Sequence, residues 1–186
     1  MVKLILIRHG ETDWNVEGRW QGQIDLPLNS KGKEQAEQIA KSLENTKIHA
    51  IYTSDLQRAV ETANAIGRLQ GLKVQSDPRL REIHQGEWQG LLVNEIKERY
   101  AEVFYKRHKN PLAMAPPGGE TGHEVYQRIT QAIQDIVQKH PNETVAIVSH
   151  GFAIAVMLIY LKGIAFERAW DFIPDNASIQ TFETLK

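Results

Sequence analysis

Two short aliphatic runs, far apart in the chain, break off at the same dipeptide. Leu4-Ile5-Leu6-Ile7 runs into Arg8-His9-Gly10, and Val145-Ala146-Ile147-Val148 runs into Ser149-His150-Gly151. An aliphatic run bounded by polar residues reads as a strand buried on both faces, the kind found in parallel sheets covered by helices. In open sheets of that kind the ligand crevice lies just outside the carboxyl ends of the strands. This pattern therefore predicts a sheet edge that gathers Arg8, His9 and His150. Two imidazoles and a guanidinium placed there suit a bound anion and a nucleophile.

The rest of the pattern agrees. Strands are expected at about 2–7, 48–53, 144–149 and 178–183, with a weaker one near 73–76. Between them, Ser30 is placed to cap a helix whose apolar positions are Ala36, Ile39, Ala40 and Leu43. Ser54-Asp55-Leu56-Gln57 has the form of a capping box ahead of Ala59, Ala63, Ile66 and Leu69, and Thr121-Gly122-His123-Glu124 is another. Phe152 to Leu161 reads as a buried helix, being half the length of a membrane span. Alternating strand and helix predict an α/β fold, a three-layer α/β/α sandwich with a mostly parallel central sheet. Residues 84–119 break the rhythm with three prolines, the aromatics Trp88, Tyr100, Phe104 and Tyr105, and the breaker Pro116-Pro117-Gly118-Gly119. They are expected to form an inserted, lid-like excursion within one domain spanning 1–186.

Composition narrows the function classes. A net charge of −1 removes any global pull toward nucleic acid or anionic membrane, so anion binding must come from a local cluster. The absence of cysteine excludes disulfides, thiolate metal sites and cysteine nucleophiles, and suits the cytoplasm. The apolar stretch before Arg8 is too short for a signal peptide. No paired histidines at metal-ligand spacing occur, so neither metal nor cofactor is expected.

Taken alone, Arg8-His9-Gly10 fits a histidine near a turn and a surface arginine better than it fits a site. Arg58 shifts the balance, because it falls in the first turn of the helix that follows the strand ending near Thr53. Three strand ends then present Arg8 and His9, Arg58, and His150 to one crevice. Arginine suits phosphate because its planar fork donates paired hydrogen bonds and stays charged. Helix amino termini after Ser54 and Gly151 would add backbone donors.

At these residues the chain resembles the histidine phosphatase superfamily, the phosphoglycerate mutase-like proteins. The resemblance covers nearly the whole length. It rests on Arg8-His9-Gly10-Glu11-Thr12 with Asn15 and Gln21-Gly22, and on Ser54-Asp55-Leu56-Gln57-Arg58-Ala59 with Glu61-Thr62-Ala63. It continues through Leu80-Arg81-Glu82-Ile83 with Gly86-Glu87-Trp88-Gln89-Gly90, then Gly118-Gly119-Glu120 and Val148-Ser149-His150-Gly151. The resemblance implies that His9 is a nucleophile forming a phosphohistidine. It further implies that Arg8, Arg58 and His150 hold the phosphoryl oxygens, with Asn15, Gln21 and the Gly151 backbone as secondary contacts. Glu82 is the implied general acid and base, whose proton would be favoured by burial beside the lid.

Within such a family, Glu82 and His150 stand 68 positions apart, short for the insertion and arginine pair that a mutase carries. A phosphatase acting on a small phosphate ester is thus expected before a cofactor-dependent phosphoglycerate mutase. A noncatalytic phospho-ligand binder or scaffold is the reading from another class, disfavoured because His9, Glu82 and His150 are all kept. Substrate choice is assigned to Gln21, Ile24, Trp88, Tyr100, Phe104 and Met114, although any single ring among them is equally suited to the core. Lys97, Arg99, Lys106, Arg107 and Lys109 read as a solvated helix face that could also meet a second acidic group. His49, His108 and His140 are expected to be exposed, while His84 and His123 are candidates to approach the crevice. Ser178 to Glu183 is a candidate exposed edge through which a homodimer would pair.

Overall fold

The computed structural model describes residues 1–184. Its five strands are β1 (Lys3–Arg8), β2 (Ala50–Thr53), β3 (Val74–Ser76), β4 (Thr144–Ser149) and β5 (Ile179–Glu183), ordered β3-β2-β4-β1-β5. All neighbours are parallel except β1 and β5, which run antiparallel. The aliphatic runs alternate between faces, as successive strand residues must. Leu4, Leu6, Val145 and Ile147 face one core, shared with α6 (Gly122–Lys139) and α7 (Gly151–Lys162). Ile5, Ile7, Ala146 and Val148 face the other, shared with α2 (Ser30–Ser42) and α3 (Gln57–Gln70). The three-layer sandwich expected from the alternation is what forms.

Strands β1 and β4 are neighbours in register, with Arg8 opposite Ser149. The chain leaves β1 over one face toward β2, and leaves β4 through α7 over the other face toward β5. That is a topological switch point, and the crevice opens at the ends that carry His9 and His150. Helix α7 is buried on every side from Gly151 to Ile159, which is why its sequence is continuously apolar.

Two helix starts differ from expectation. Asn29, not Ser30, caps α2, its side chain accepting from the Gly32 N–H at 2.8 Å. Helix α3 begins at Gln57, after Leu56, with no cap from its own box. Asp25 accepts the Gln57 N–H at 2.6 Å, and the Ser54 hydroxyl accepts from Leu56 instead. A loop distant in sequence thus displaces the local box. The Thr121–Glu124 box on α6 forms as expected.

Residues 84–119 hold a 3-10 turn at Gly86–Trp88 and two short helices, α4 (Val93–Arg99) and α5 (Ala101–Lys109). A further helix, α1 (Asp13–Glu17), follows the β1 loop. No helix among the described residues is long and apolar enough to cross a membrane.

Candidate active site

Strand β1 delivers His9 to a loop held tightly from behind. Gly10 lies against the first turn of α2, where a Cβ on Gly10 would meet the Gly32 carbonyl oxygen at 2.4 Å. The His9 ring is 3% exposed, and its Nδ1 lies 2.7 Å from the Gly10 carbonyl oxygen. A carbonyl only accepts, so Nδ1 carries the proton and Nε2 is left with its lone pair. That nitrogen faces the Arg58 Nε at 3.3 Å. Burial, with the charges of Arg58 and Arg8 adding to it, holds the imidazole well below its ordinary pKa. His9 is therefore a neutral base with its reactive nitrogen turned into a cationic slot.

His150 closes the slot from β4. Its ring is fully buried, 5.1 Å from the His9 ring between centroids, and neither ring nitrogen has a protein partner. Burial, then Arg58, His9 and Arg8, keep it well below its ordinary pKa as well. The Arg8 Nε and the Gln21 Oε1 are also buried without partners. Buried polar atoms are nearly always bonded, so unpartnered ones gathered at a sheet edge mark a place for a ligand. Gly151 lets Arg8 lie close: a Cβ there would sit 3.4 Å from the Arg8 Cζ. Arg8 Nη1 is tied to the Pro174 carbonyl at 2.5 Å. Arg58, 1% exposed, is anchored by the Gly22 and Ile24 carbonyls, each at 2.7 Å, and burial lowers its pKa to about 10. It stays charged at neutral pH.

Glu82 departs from expectation in what surrounds it. Its Oε2 accepts the Phe152 N–H at 3.0 Å, and its Oε1 accepts the Ala153 and Ile83 N–H groups at 3.1 and 2.9 Å. The backbone donors at the start of α7 are thus occupied by a carboxylate, as helix amino termini favour. The Glu82 side chain is half-buried. Its peptide is fixed from α6, where the Arg128 guanidinium reaches the carbonyls of Arg79, Arg81 and Glu82 while forking onto Glu120 at 2.9 Å to each oxygen. Gln23 also donates to the Glu82 carbonyl at 3.0 Å.

Other expected residues are distributed unevenly. Asn15 closes a capping box on α1 with Thr12, and its Oδ1 also accepts from Asn176 at 3.1 Å. Trp88 is fully buried and, with Phe104, lines a cavity beside Trp20, Arg107, His108 and Trp170. Tyr100 is not part of that lining; its hydroxyl turns outward to Glu87 at 2.9 Å while its ring packs on Trp88. Met114 and Ile24 also lie outside this lining. Arg107 is withdrawn from water rather than part of the solvated face that Lys97, Arg99, Lys106 and Lys109 do form. His140 is buried rather than exposed, bonded to the Tyr52 hydroxyl and to Glu143. His49 is half-buried and accepts the Thr144 N–H. His84 accepts the Gly86 N–H, and His123 is exposed on the first turn of α6. No cluster of three or more metal-ligating side chains occurs among the described residues.

Sequence reasoning missed Asn176, whose amide donates to the His9 carbonyl at 3.3 Å, beside Ala177 with its φ of 58°. An alanine in the left-handed region marks strain at the segment that backs the His9 loop. It also missed Arg128 and Trp170, which reach their places only through α6 and the segment after α7.

The sequence profile of the histidine phosphatase superfamily, branch 1, matches residues 4–185. Phosphoserine phosphatase 1 of Hydrogenobacter thermophilus is 39% identical over 178 residues, covering 96% of this chain and 84% of its own. The solved structure of Bacillus stearothermophilus YhfR is similar with a TM-score of 0.90 at 38% identity, over 98% of this chain and 91% of that one. A mycobacterial glucosyl-3-phosphoglycerate phosphatase complexed with VO3 is similar with a TM-score of 0.89 at 33% identity, over 96% and 90%. Taken with two histidines at the ends of β1 and β4 and two arginines around them, these likenesses make the chain a member of branch 1 of the histidine phosphatase superfamily.

Proposed function

We propose that this protein hydrolyses small-molecule phosphomonoesters through a phosphohistidine on His9. The observation that carries the reading is the 2.7 Å contact of His9 Nδ1 with the Gly10 carbonyl, which puts the ring proton on Nδ1 and leaves Nε2 as a nucleophile beside Arg58 and the unpartnered His150. In the first step the Nε2 lone pair forms a bond to phosphorus as the ester P–O bond breaks. Arg8, Arg58 and His150 stabilise the charge on the phosphoryl oxygens, which is most of what phosphoryl transfer requires. An alkoxide leaves poorly, so Glu82 supplies its proton. Water then attacks phosphorus and gives a proton back to Glu82, and the P–N bond breaks to release inorganic phosphate and His9. The family membership and the phosphatases among its relatives support hydrolysis. Within the same reading the chain is one domain and works in the cytoplasm, which its lack of cysteine suits.

Turnover of p-nitrophenyl phosphate, with acid-quenched labelling of the protein, tests the reading. The expected result is phosphate release and an acid-labile, base-stable phosphate on His9, both lost in His9→Ala. Substantial turnover by a folded His9→Ala protein would overturn it.

A further inference from the structure

The carbonyl that Gly10 presents to the His9 Nδ1, at 2.7 Å, belongs to a peptide held from its other side as well. That peptide continues as the Glu11 N–H, which donates to the Gln35 Oε1 at 2.8 Å. The peptide is trans and planar, so its C=O and N–H point opposite ways. Imidazole, peptide and carboxamide therefore stand in a row. The partner of Nδ1 is a neutral carbonyl, and an acceptor on the far N–H both fixes its plane and polarises it.

Packing brings Gln35 to that N–H. The Glu11 carbonyl accepts the Asn29 N–H at 3.0 Å, which lays the loop after β1 across the start of α2. Gly32 leaves room for the loop to pass, since a Cβ there would overlap the Glu11 carbonyl oxygen. Gln35, half-buried one turn further along α2, then lies level with the Glu11 N–H. Only its Oε1 can accept, so the contact also fixes which way the carboxamide faces. The preceding peptide is held from α3, where the Thr62 Oγ1 accepts the Gly10 N–H at 3.1 Å. Asn176 stands 3.5 Å from the Gly10 carbonyl, too far to hold it alone.

We propose that Gln35 is a positioning residue for His9. Through the Gly10–Glu11 peptide it keeps the ring proton on Nδ1 and leaves Nε2 free for phosphorus. This rests on the phosphatase reading and adds to it the support of the nucleophile. As Nε2 bonds phosphorus the ring gains positive charge while Nδ1 keeps its proton. The Nδ1–H···O=C bond becomes charge-assisted and strengthens, and the peptide leans harder on Gln35. An interaction that is stronger in the transition state than in the ground state raises kcat.

The test uses Gln35→Met, close in shape but without an acceptor, and Gln35→Glu, which still accepts the Glu11 N–H. Nitrogen NMR of protein labelled in its histidines reads the protonated ring nitrogen without turnover, the His9 signals being assigned by their loss in His9→Ala. The expected result at neutral pH is a single Nδ1-protonated tautomer in the parent and in Gln35→Glu, and a mixture in Gln35→Met. In Gln35→Met the kcat for p-nitrophenyl phosphate should fall about tenfold or more with KM little changed, the order of what an outer partner of a working imidazole is worth. Gln35→Glu should recover most of that loss. An unchanged His9 signature or an unchanged kcat in folded Gln35→Met overturns the inference, and so does an equal loss in Gln35→Glu.

If Gln35→Met fails to fold, Gln35→Glu decides alone. Its added charge polarises the peptide further and moves the Nδ1 proton downfield, and an unmoved proton overturns the inference. The NMR readout stands apart from catalysis. Turnover by the parent with an unmoved His9 signature in the variants sinks only the role of Gln35. The expected signatures in a protein without turnover sink only the phosphatase reading.

Discussion

Replacing Arg128 by Met removes the brace behind Glu82, and the structure sets the size of the effect. The guanidinium makes five hydrogen bonds, two to Glu120 and three to the carbonyls of Arg79, Arg81 and Glu82. Its side chain is 17% exposed and that of Glu120 is 22% exposed. Deleting one partner of a buried pair costs about 3–5 kcal/mol because the other charge is left uncompensated. Water reaches about a fifth of each side chain here, so the lower end, about 3 kcal/mol, is expected. For a domain of this length that is a fall in Tm of roughly 6–12 °C.

Catalysis should fall by a second route. The Glu82 carbonyl would keep only Gln23 while its carboxylate stays on the Phe152, Ala153 and Ile83 N–H groups, and a displacement of about 1 Å at a reacting group costs on the order of a hundredfold. The loss should be large for alkyl esters and small for p-nitrophenyl phosphate, whose leaving group scarcely needs a proton. Urea denaturation and steady-state kinetics on both substrates check the two parts. An unfolding free energy within 1 kcal/mol of the parent, or an equal fractional loss on both esters, would refute the reasoning.

Stability should also depend on pH through His9 and His150, both held well below their ordinary pKa chiefly by burial. Below about pH 6.5 the unfolded chain binds a proton at each while the fold binds none, so this stability is present above that pH and lost beneath it. The limiting slope is about 1.4 kcal/mol per pH unit for each ring, and urea midpoints that stay flat from pH 7 to 5 would exclude it. Trp88→Ala should cost about 3–5 kcal/mol because the ring is fully buried, whereas Tyr100→Phe should cost less than about 1 kcal/mol because its hydroxyl meets Glu87 at the surface; comparable losses in urea would reverse that assignment. Prolonged chelation should leave turnover of p-nitrophenyl phosphate unchanged, and vanadate should inhibit it. Restoration by a divalent ion after loss on chelation would contradict a site built from His9, His150, Arg8 and Arg58.

Strands β1 and β4 and the two histidines were legible because burial on both faces leaves a continuous aliphatic signature, and the crevice follows from where such strands end. The order of the strands was not, since nothing in Leu4–Ile7 names Val145–Val148 as its neighbour. Helix α3 shows why local signals failed: its box is intact in sequence, yet Asp25 arrives from another loop and takes the first N–H. Arg107 shows the same limit for charge. Four of five cations in 97–109 are solvated, and only the packing of three tryptophans from separate segments withdraws the fifth. Asn176 and Arg128 reach the site through the backbone carbonyls of His9 and Glu82, which carry no sequence identity to be read.

The register of β1 bears on how the enzyme comes into being. Lys3 pairs with Thr144 on one side and with Glu183 on the other. Strand β1 therefore has no sheet partner until β4, far later in the chain, has been synthesised. Contacts of such long sequence separation form late, because loop closure must precede them. While β2 and β3 can pair early, Leu4–Ile7 remains an unpaired aliphatic strand until Val145–Val148 has been made. His9 is made well before the strand that positions it, so a product that stops short of β4 lacks both that partner and His150. Stalled nascent chains should accordingly gain protection at β1 only after β4 has cleared the exit tunnel.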